Sequence, residues 1–292
     1  MKDGYNRTID YLKLSVTDRR AYDFSYETRA ECKEFEELLL PDEYRNIAAA
    51  FINQGIEKIR LVSDPLMRED AMDILCSLSH LDSRLFVTTA SPSLGTYASD
   101  MRRMGVEGVN IDIDTLNRDR YRTLTGGGSL DDILGAIDRV LSVGFDDLKL
   151  NVYFTKTLRD KEFSTFLDFA KDIRAKLKLI ELPSSEVTPS FYADNYVSLN
   201  EFVKNNDFIR TEIFDTATAR SYSYRGSSVL VVTPDADGFC RNCNCVKVSE
   251  DGYLYPCERS NMRFSLSPYL SNVPLMESAI DASVKRKIGG RI

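Results

Sequence analysis

The chain has 292 residues, long for one minimal domain and short for two full-sized ones, and its 43% hydrophobic and 28% charged residues give the balance of an ordinary globular protein. A net charge of −7 argues against nucleic-acid binding, which usually needs a basic excess. No apolar run approaches the ~20 residues that cross a bilayer, and Met1–Tyr5 lacks the apolar core of a signal peptide, so the expectation is a cytoplasmic protein with no membrane partner.

Along the chain, Ile9–Thr17 is apolar and β-branched and predicts a strand. Pro41 opens a helix that runs to Gln54 and stops at Gly55. Then come a strand over Lys58–Ser63, a helix over Arg68–Leu81, a strand over Arg84–Ala90 and a helix over Leu94–Met104. Val109–Ile113 predicts a strand, Leu130–Val143 a helix, Leu148–Phe154 a strand, Lys161–Ala175 a helix and Lys176–Leu182 a strand. The only histidine, His80, reads as a helix-end residue and excludes mechanisms built on several histidines. Cys76 reads as a core thiol. Six strands, with a helical segment after each of the first five, imply parallel βαβ units that coil toward a barrel or form an open wound sheet. The alternation breaks after Leu182. Ser198–Asn205 predicts a short helix, and strand propensity returns from Phe208 to Val232 without helices between. Asp251-Gly252, inside Val246–Tyr255, is a hairpin signal. The boundaries expected are 1–182 for the first domain and 183–292 for the second.

The parallel strands carry charges where a helix-covered sheet should be apolar. Lys13, Lys58, Arg60, Lys149 and Lys178 interrupt them, and Lys58 with Arg60, like Lys149 with Asn151, share a face two residues apart. Pressed into a helix layer, each charge would cost several kcal/mol. The inward face of an incompletely filled barrel is the better place, and a cationic lumen needs an anion. Asp112 and Asp114 are internal candidates, and a phosphorylated ligand is the external one. The alternative is that these lysines stand at strand ends and reach solvent.

Four of the six cysteines lie between 240 and 257, where a cytosolic cluster points to metal binding rather than disulfides. Cys240 and Cys243 form a Cys-x2-Cys pair, Cys257 follows after thirteen residues, and Cys245 stands as the candidate fourth ligand. The spacing admits a structural zinc site or an iron–sulphur cluster. Three thiolates on a four-iron cluster would leave one iron open to a ligand atom.

Cys240-Arg-Asn-Cys243-Asn244 with Leu254-Tyr255-Pro256-Cys257 resembles the auxiliary-cluster motif of the molybdenum cofactor biosynthesis protein A family (MoaA, GTP 3′,8-cyclase). The similarity extends over nearly the whole chain. Asp10-Tyr11-Leu12-Lys13-Leu14-Ser15-Val16-Thr17-Asp18-Arg19 resembles the family's first strand and turn, and Lys58-Ile59-Arg60-Leu61 its second strand. Leu148–Val152 and Ile180-Glu181 resemble its fifth and sixth, and Gly289-Gly290 its C-terminal glycines, although Arg291-Ile292 follow them here. The resemblance implies a partial (βα)6 TIM-like barrel of radical-SAM type closed by a C-terminal iron–sulphur cluster domain. It also implies nucleotide-binding roles for Lys58, Arg60, Lys149 and Asn151. Lys13 and Lys178 stand where the family has arginine, and Cys245 and Lys247 where it has two further arginines.

The family cleaves S-adenosylmethionine (SAM) on a cluster held by Cys-x3-Cys-x2-Cys after the first strand. Those positions fall on Arg20, Phe24 and Glu27, none of which replaces a thiolate. The family's Gly-Gly-Glu-Pro falls on Val62-Ser63-Asp64-Pro65. The expectation is therefore a MoaA-like protein without reductive SAM cleavage, holding one [4Fe-4S] cluster on Cys240, Cys243 and Cys257 (zinc being the alternative) and a small anionic, nucleotide-like ligand. As an enzyme it would be a lyase or transferase using its cluster as a Lewis acid or a sulphur holder. The alternative is a pseudoenzyme that acts as a binding or regulatory partner, with an active radical SAM enzyme as the third reading. A homo-oligomer or a pathway partner stays open.

Overall fold

The computed structural model describes residues 1–27, 38–213, 217–236 and 239–287. Six strands, β1 (Tyr11–Ser15), β2 (Lys58–Val62), β3 (Arg84–Thr89), β4 (Val106–Asp112), β5 (Asp147–Phe154) and β6 (Lys176–Glu181), pair in chain order and in parallel. Helices α1 (Pro41–Ile52), α2 (Ala71–Ser79), α3 (Ser93–Arg103), α4 (Arg118–Leu124), α5 (Leu130–Val143) and α6 (Phe163–Asp172) fill the crossovers. This is a partial TIM-type α/β barrel. The chain after Leu182 adds α7 (Pro189–Asn195), α8 (Leu199–Lys204), β7 (Ile209–Arg210), β8 (Arg220–Tyr224), β9 (Ser227–Val232), β10 (Cys245–Val248), β11 (Tyr253–Tyr255), β12 (Phe264–Ser265) and α9 (Val273–Val284).

These later strands extend the same sheet at both edges. β9 pairs in parallel with β6, and β10 in parallel with β1, so eight parallel strands run from β10 through β1–β6 to β9. Antiparallel strands follow outside, β11 and β12 at one edge, β8 and β7 at the other. Among the described residues no pairing joins β9 to β10, so the barrel stays open there.

Alternation along the strands divides the molecule. Leu12, Leu14, Ile59, Leu61, Val87, Val109, Ile111, Leu150, Val152, Leu177, Leu179, Val229, Val231, Val246 and Val248 form the buried core with the helices. Their alternates face the lumen. The helices obey their own periodicity: α5 buries Leu130, Ile133, Ala136, Ile137 and Val140, is capped by Ser129 and stops at the left-handed Gly144. α4, α7 and α9 carry no expectation from the sequence. The helix expected over Arg68–Leu81 begins only at Ala71. Pro65–Met67 form a 3-10 turn, and the buried Arg68 leaves the helix register to donate to the carbonyls of Val16 (2.9 Å) and Leu39 (2.6 Å). Cys76, expected in the core, is exposed because α2 turns Ile74, Leu75 and Leu78 inward instead. His80 caps the end of α2 as expected. Cys32 and Gly289–Ile292 lie outside the described residues. Among the described residues, no helix is long and apolar enough to cross a membrane.

Candidate functional site

The register sets the inward charges in layers. Tyr11 pairs with Lys58; Lys13 lies between Lys247 and Arg60, with Phe86 next; Thr88, Asn110, Lys149 and Lys176 follow; Asp112, Asn151 and Lys178 come above. Arg60 is 5% exposed and has no carboxylate partner among the described residues. Its Nε donates to the Tyr11 hydroxyl (2.9 Å) and its Nη1 to Thr88 Oγ1 (3.1 Å) and the Val87 carbonyl (3.3 Å), while the guanidinium lies over the Phe86 ring. Lys58 sits between the same rings, 4.7 Å from the Tyr11 centroid and 4.6 Å from that of Phe86. Asp147 takes both Lys149 and Lys176, the latter at 2.8 Å. Lys13 pairs with Glu258 at 2.8 Å.

Asp112 and Asp114, the internal candidates for neutralising this lumen, make their hydrogen bonds elsewhere, and among the described residues none of these goes to Lys58 or Arg60. Asp112 accepts from Asn151 Nδ2 (2.6 Å). Asp114 accepts from the Tyr26 hydroxyl (2.5 Å) and the Tyr153 N–H (2.9 Å). The register sets Asp112 level with Asn151 and Lys178, above the layer of Arg60. The cations therefore repel one another. Burial, then Arg60 and Lys149, lowers the Lys58 pKa to about 8. Burial, then Arg60 and Lys13, lowers Lys178 to about 7. Burial also brings Lys149 to about 8 despite Asp147. Burial raises Asp112 to about 7, with the carboxylates of Asp64 and Asp114 adding to it against the Asn151 hydrogen bond. Asn110, 5% exposed, points an Oδ1 without a hydrogen-bond partner into this layer. This arrangement favours a ligand with an anionic part for the lysines and Arg60 and a donor for Asn110.

The thiols lie at the other end of the lumen. The Asn244 carbonyl accepts from the N–H groups of Asp10 (3.2 Å) and Tyr11 (3.3 Å), and its Nδ2 donates to Asp10 Oδ1 (2.6 Å). Arg7 donates to the Cys240 carbonyl. The cysteine loop is thus tied to the entry of β1. Lys287, 2% exposed, donates to the carbonyls of Cys245 (2.8 Å) and Pro256, holding the two arms of the hairpin together. Cys243 Sγ stands 3.6 Å from Cys245 Sγ. That contact pulls the Cys243 thiol down, with the Lys287 ammonium adding to it, and the same contact and burial push Cys245 up. Burial pushes the Cys240 thiol up, with Cys257 and Cys243 adding to it against Arg259 and Lys287. Among the described residues no three His, Cys, Asp or Glu are gathered about a single ion. Four half-buried thiols beside a buried ammonium fit the donor chemistry of a cluster.

At the C-terminal mouth, where barrels of this kind carry their chemistry, Arg20 and Glu27 form an ion pair at 3.4 Å. Phe24 packs against Tyr22 and Tyr26, and Tyr26 against Tyr153 and Phe191. Glu27 bridges Val187, so the loop after β1 and the segment after β6 close over the mouth. Ser63 and Asp64 are left-handed, at φ 65° and 51°. That strain is offset by the Asp64 carboxylate, which accepts from the Ala90 N–H (2.6 Å), Thr89 Oγ1 (2.9 Å) and the Ala21 N–H (3.1 Å).

Sequence reasoning missed Tyr11, Phe86, Asn110, Lys176, Asp147, Glu258 and Lys287 as members of the site. Asn110 and Asp147 follow the two-residue alternation that exposes Asp112 and Lys149, and that signal suffices to find them. Lys287 carries no local signal at all.

The Radical SAM superfamily profile matches residues 25–170. The GTP 3′,8-cyclase of Alkaliphilus oremlandii is 31% identical over 94% of this chain and 88% of its own length. That of Haemophilus influenzae is 30% identical over 87% and 79%, and that of Clostridium botulinum 28% over 98% and 93%. Among solved structures, Streptococcus suis SuiB bound to S-adenosylmethionine superposes with a TM-score of 0.61 at 9% identity, covering 95% of this chain and 65% of that longer one. The polyhistidine-tagged anSMEcpe with bound AdoMet gives 0.55 at 11% identity, over 95% and 82%.

Proposed function

Since the chain belongs to the MoaA family of the radical SAM superfamily, we propose that it is a member without reductive SAM cleavage that keeps the auxiliary iron–sulphur site and a lumen for a nucleotide-like anion. The family implies a cluster and SAM, and the relatives are named as cyclases. One observation supports the reading without SAM cleavage. Arg20 and Glu27, at positions of two family cluster cysteines, are spent on each other, and Phe24, at the third, is packed among aromatic rings. No thiolate is present at any of the three to hold a SAM-cleaving cluster, and Asp64 has turned its carboxylate onto the backbone of its own loops.

In the lumen, Lys58, Arg60, Lys149 and Lys178 would bind the phosphates, with Lys13 and Lys247 toward the thiol end. Asn110 and Asn151 would orient the uncharged part. Lys178, titrating near 7, would take up a proton as the anion enters. Cys240, Cys243 and Cys257 would hold the cluster, which when bound supplies Lewis-acid or electron-transfer chemistry beside the lumen.

The test is anaerobic reconstitution of the full chain, then SAM with dithionite, and separately a melting curve with GTP. We expect about four irons per chain and no 5′-deoxyadenosine. GTP at a hundredfold excess over its Kd should stabilise the protein by about 2.7 kcal/mol. Robust SAM turnover or about eight irons overturns the loss of radical chemistry, and a flat response to GTP removes the nucleotide from the reading.

A further inference from the structure

We propose that Cys245 is a fourth thiolate of the cluster, so that the iron–sulphur site of this chain is coordinatively closed and offers no open iron to a ligand in the lumen. This rests on the cluster reading above and deepens it.

The argument is one of placement. Cys243 and Cys245 are two apart across extended backbone, which sets both side chains on one side, and their sulphurs, 3.6 Å apart in the empty site, would part onto separate irons as the cluster binds. β10 and β11 pair Lys247 with Tyr255 and Val248 with Leu254. Continued two residues, that antiparallel register sets Cys257 level with Cys245, on the face they share with Lys247. The same face carries Tyr11 and Lys13 from β1, the register partners of Cys245 and Lys247. Cys245 is therefore in sulphur contact with one member of the Cys240–Cys243–Cys257 set and level, on the continued register, with another. Lys287 pins its carbonyl and that of Pro256 to one ammonium, so the two strands that carry Cys245 and Cys257 are held at a fixed separation.

Charge points the same way. Glu258 faces three ammoniums, Lys13, Lys247 and Lys287, and this excess of cations surrounds the thiols. A cluster with four thiolates carries one more negative charge than one with three, and it compensates that excess better. A cysteine at this place cannot hold a phosphate as a cation would, so its contribution to the lumen is a metal ligand rather than an anion contact. With every iron held by protein, the site is suited to electron transfer or to holding the hairpin, and a lumen ligand is recognised by the lysines and Arg60 alone.

The experiment uses the full chain, wild type and Cys245→Ser, reconstituted anaerobically. Iron counting comes first: a wild type that takes up no iron, or zinc in its place, overturns the cluster reading and this proposal with it. With iron in place, mild ferricyanide oxidation followed by electron paramagnetic resonance decides the ligand. Wild type should show no three-iron signal, while Cys245→Ser should lose about one of its four irons and show it. Imidazole should shift the resonance of reduced Cys245→Ser and leave the wild type unmoved. Iodoacetamide mapping of loaded wild type needs no variant: Cys76 should react at once and Cys245 only after the iron is chelated. A wild type that loses iron like the variant, or a Cys245 that is alkylated as fast as Cys76 with the cluster in place, overturns the proposal.

Discussion

Lys178 lies in the interior with Arg60, Lys13 and Lys149 pressing on it and Asp112 opposing them. Its pKa near 7 is far below the 10.5 of a free lysine, and Lys58 and Lys149 are brought to about 8. From about pH 7 to 10.5 the unfolded chain binds more protons than the folded one, so stability rises with pH across that window. Asp112 acts oppositely: folded near 7 and unfolded near 3.8, it favours the folded state at low pH, and that contribution is lost as pH rises to 7. Chemical denaturation from pH 5 to 10 should therefore show the ligand-free protein weakest near neutrality, and pyrophosphate should fill in the minimum by drawing protons back onto the lysines. Lys178→Met should stabilise the ligand-free protein at pH 7 by ~1–3 kcal/mol, since it removes, at almost constant volume, a buried ammonium that forms no ion pair among the described residues and that Asp112 offsets only in part. It should also flatten the rise above pH 7. A profile without a minimum, or a destabilised Lys178→Met, would show that the cations are already compensated.

The hairpin from β10 to β11 is the element on which the thiol site depends. It turns at Asp251-Gly252, where Gly252 has φ +81°, and a Cβ there would stand 3.2 Å from Leu39 Cδ2. Gly252→Ala combines a left-handed alanine with that contact and should cost ~1–2 kcal/mol in urea denaturation. It should also lower iron uptake, because the turn sets the level at which Cys257 returns. Gly135→Ala is the control of opposite sign. It lies in α5 with nothing within 4 Å of an added Cβ, and should stabilise by ~0.5–1 kcal/mol.

The mouth joins distant parts of the molecule. Tyr26 from the loop after β1 is 3% exposed, donates to Asp114 two residues past β4, and touches Tyr153 of β5 and Phe191 of α7. Tyr26→Ala removes a large buried ring and leaves Asp114, among the described residues, with the Tyr153 N–H as its remaining hydrogen bond, so it should cost ~3–5 kcal/mol. Hydrogen exchange should quicken across residues 183–196 while β1–β3 keep their protection. Arg20→Ala should cost less than ~1 kcal/mol, because its ion pair with Glu27 is half exposed. A Tyr26→Ala protein with unchanged exchange at 183–196 would mean that the two segments close the mouth independently.

By itself the sequence determined the order of β1–β6 and their helices, because apolar periodicity and glycine or proline stops are local signals. It also determined that Lys58, Arg60, Lys149 and Asn151 face inward, because alternation along a strand leaves a charge only one other side. What meets those charges is set by packing across strands. Arg60 finds Tyr11, Phe86 and Thr88 on neighbouring strands, and Asp112 and Asp114 bond elsewhere, since register sets the height of each strand and no residue's own neighbours report it. The start of α2 at Ala71 and the exposure of Cys76 were decided in the same way, by the buried Arg68 reaching Val16 and Leu39 and by the rotation of one helix. Lys287 lies 42 residues from Cys245 in the chain and 2.8 Å from its carbonyl in space. Such a contact is formed by the return of α9 onto α1, and packing, not propensity, brings it about.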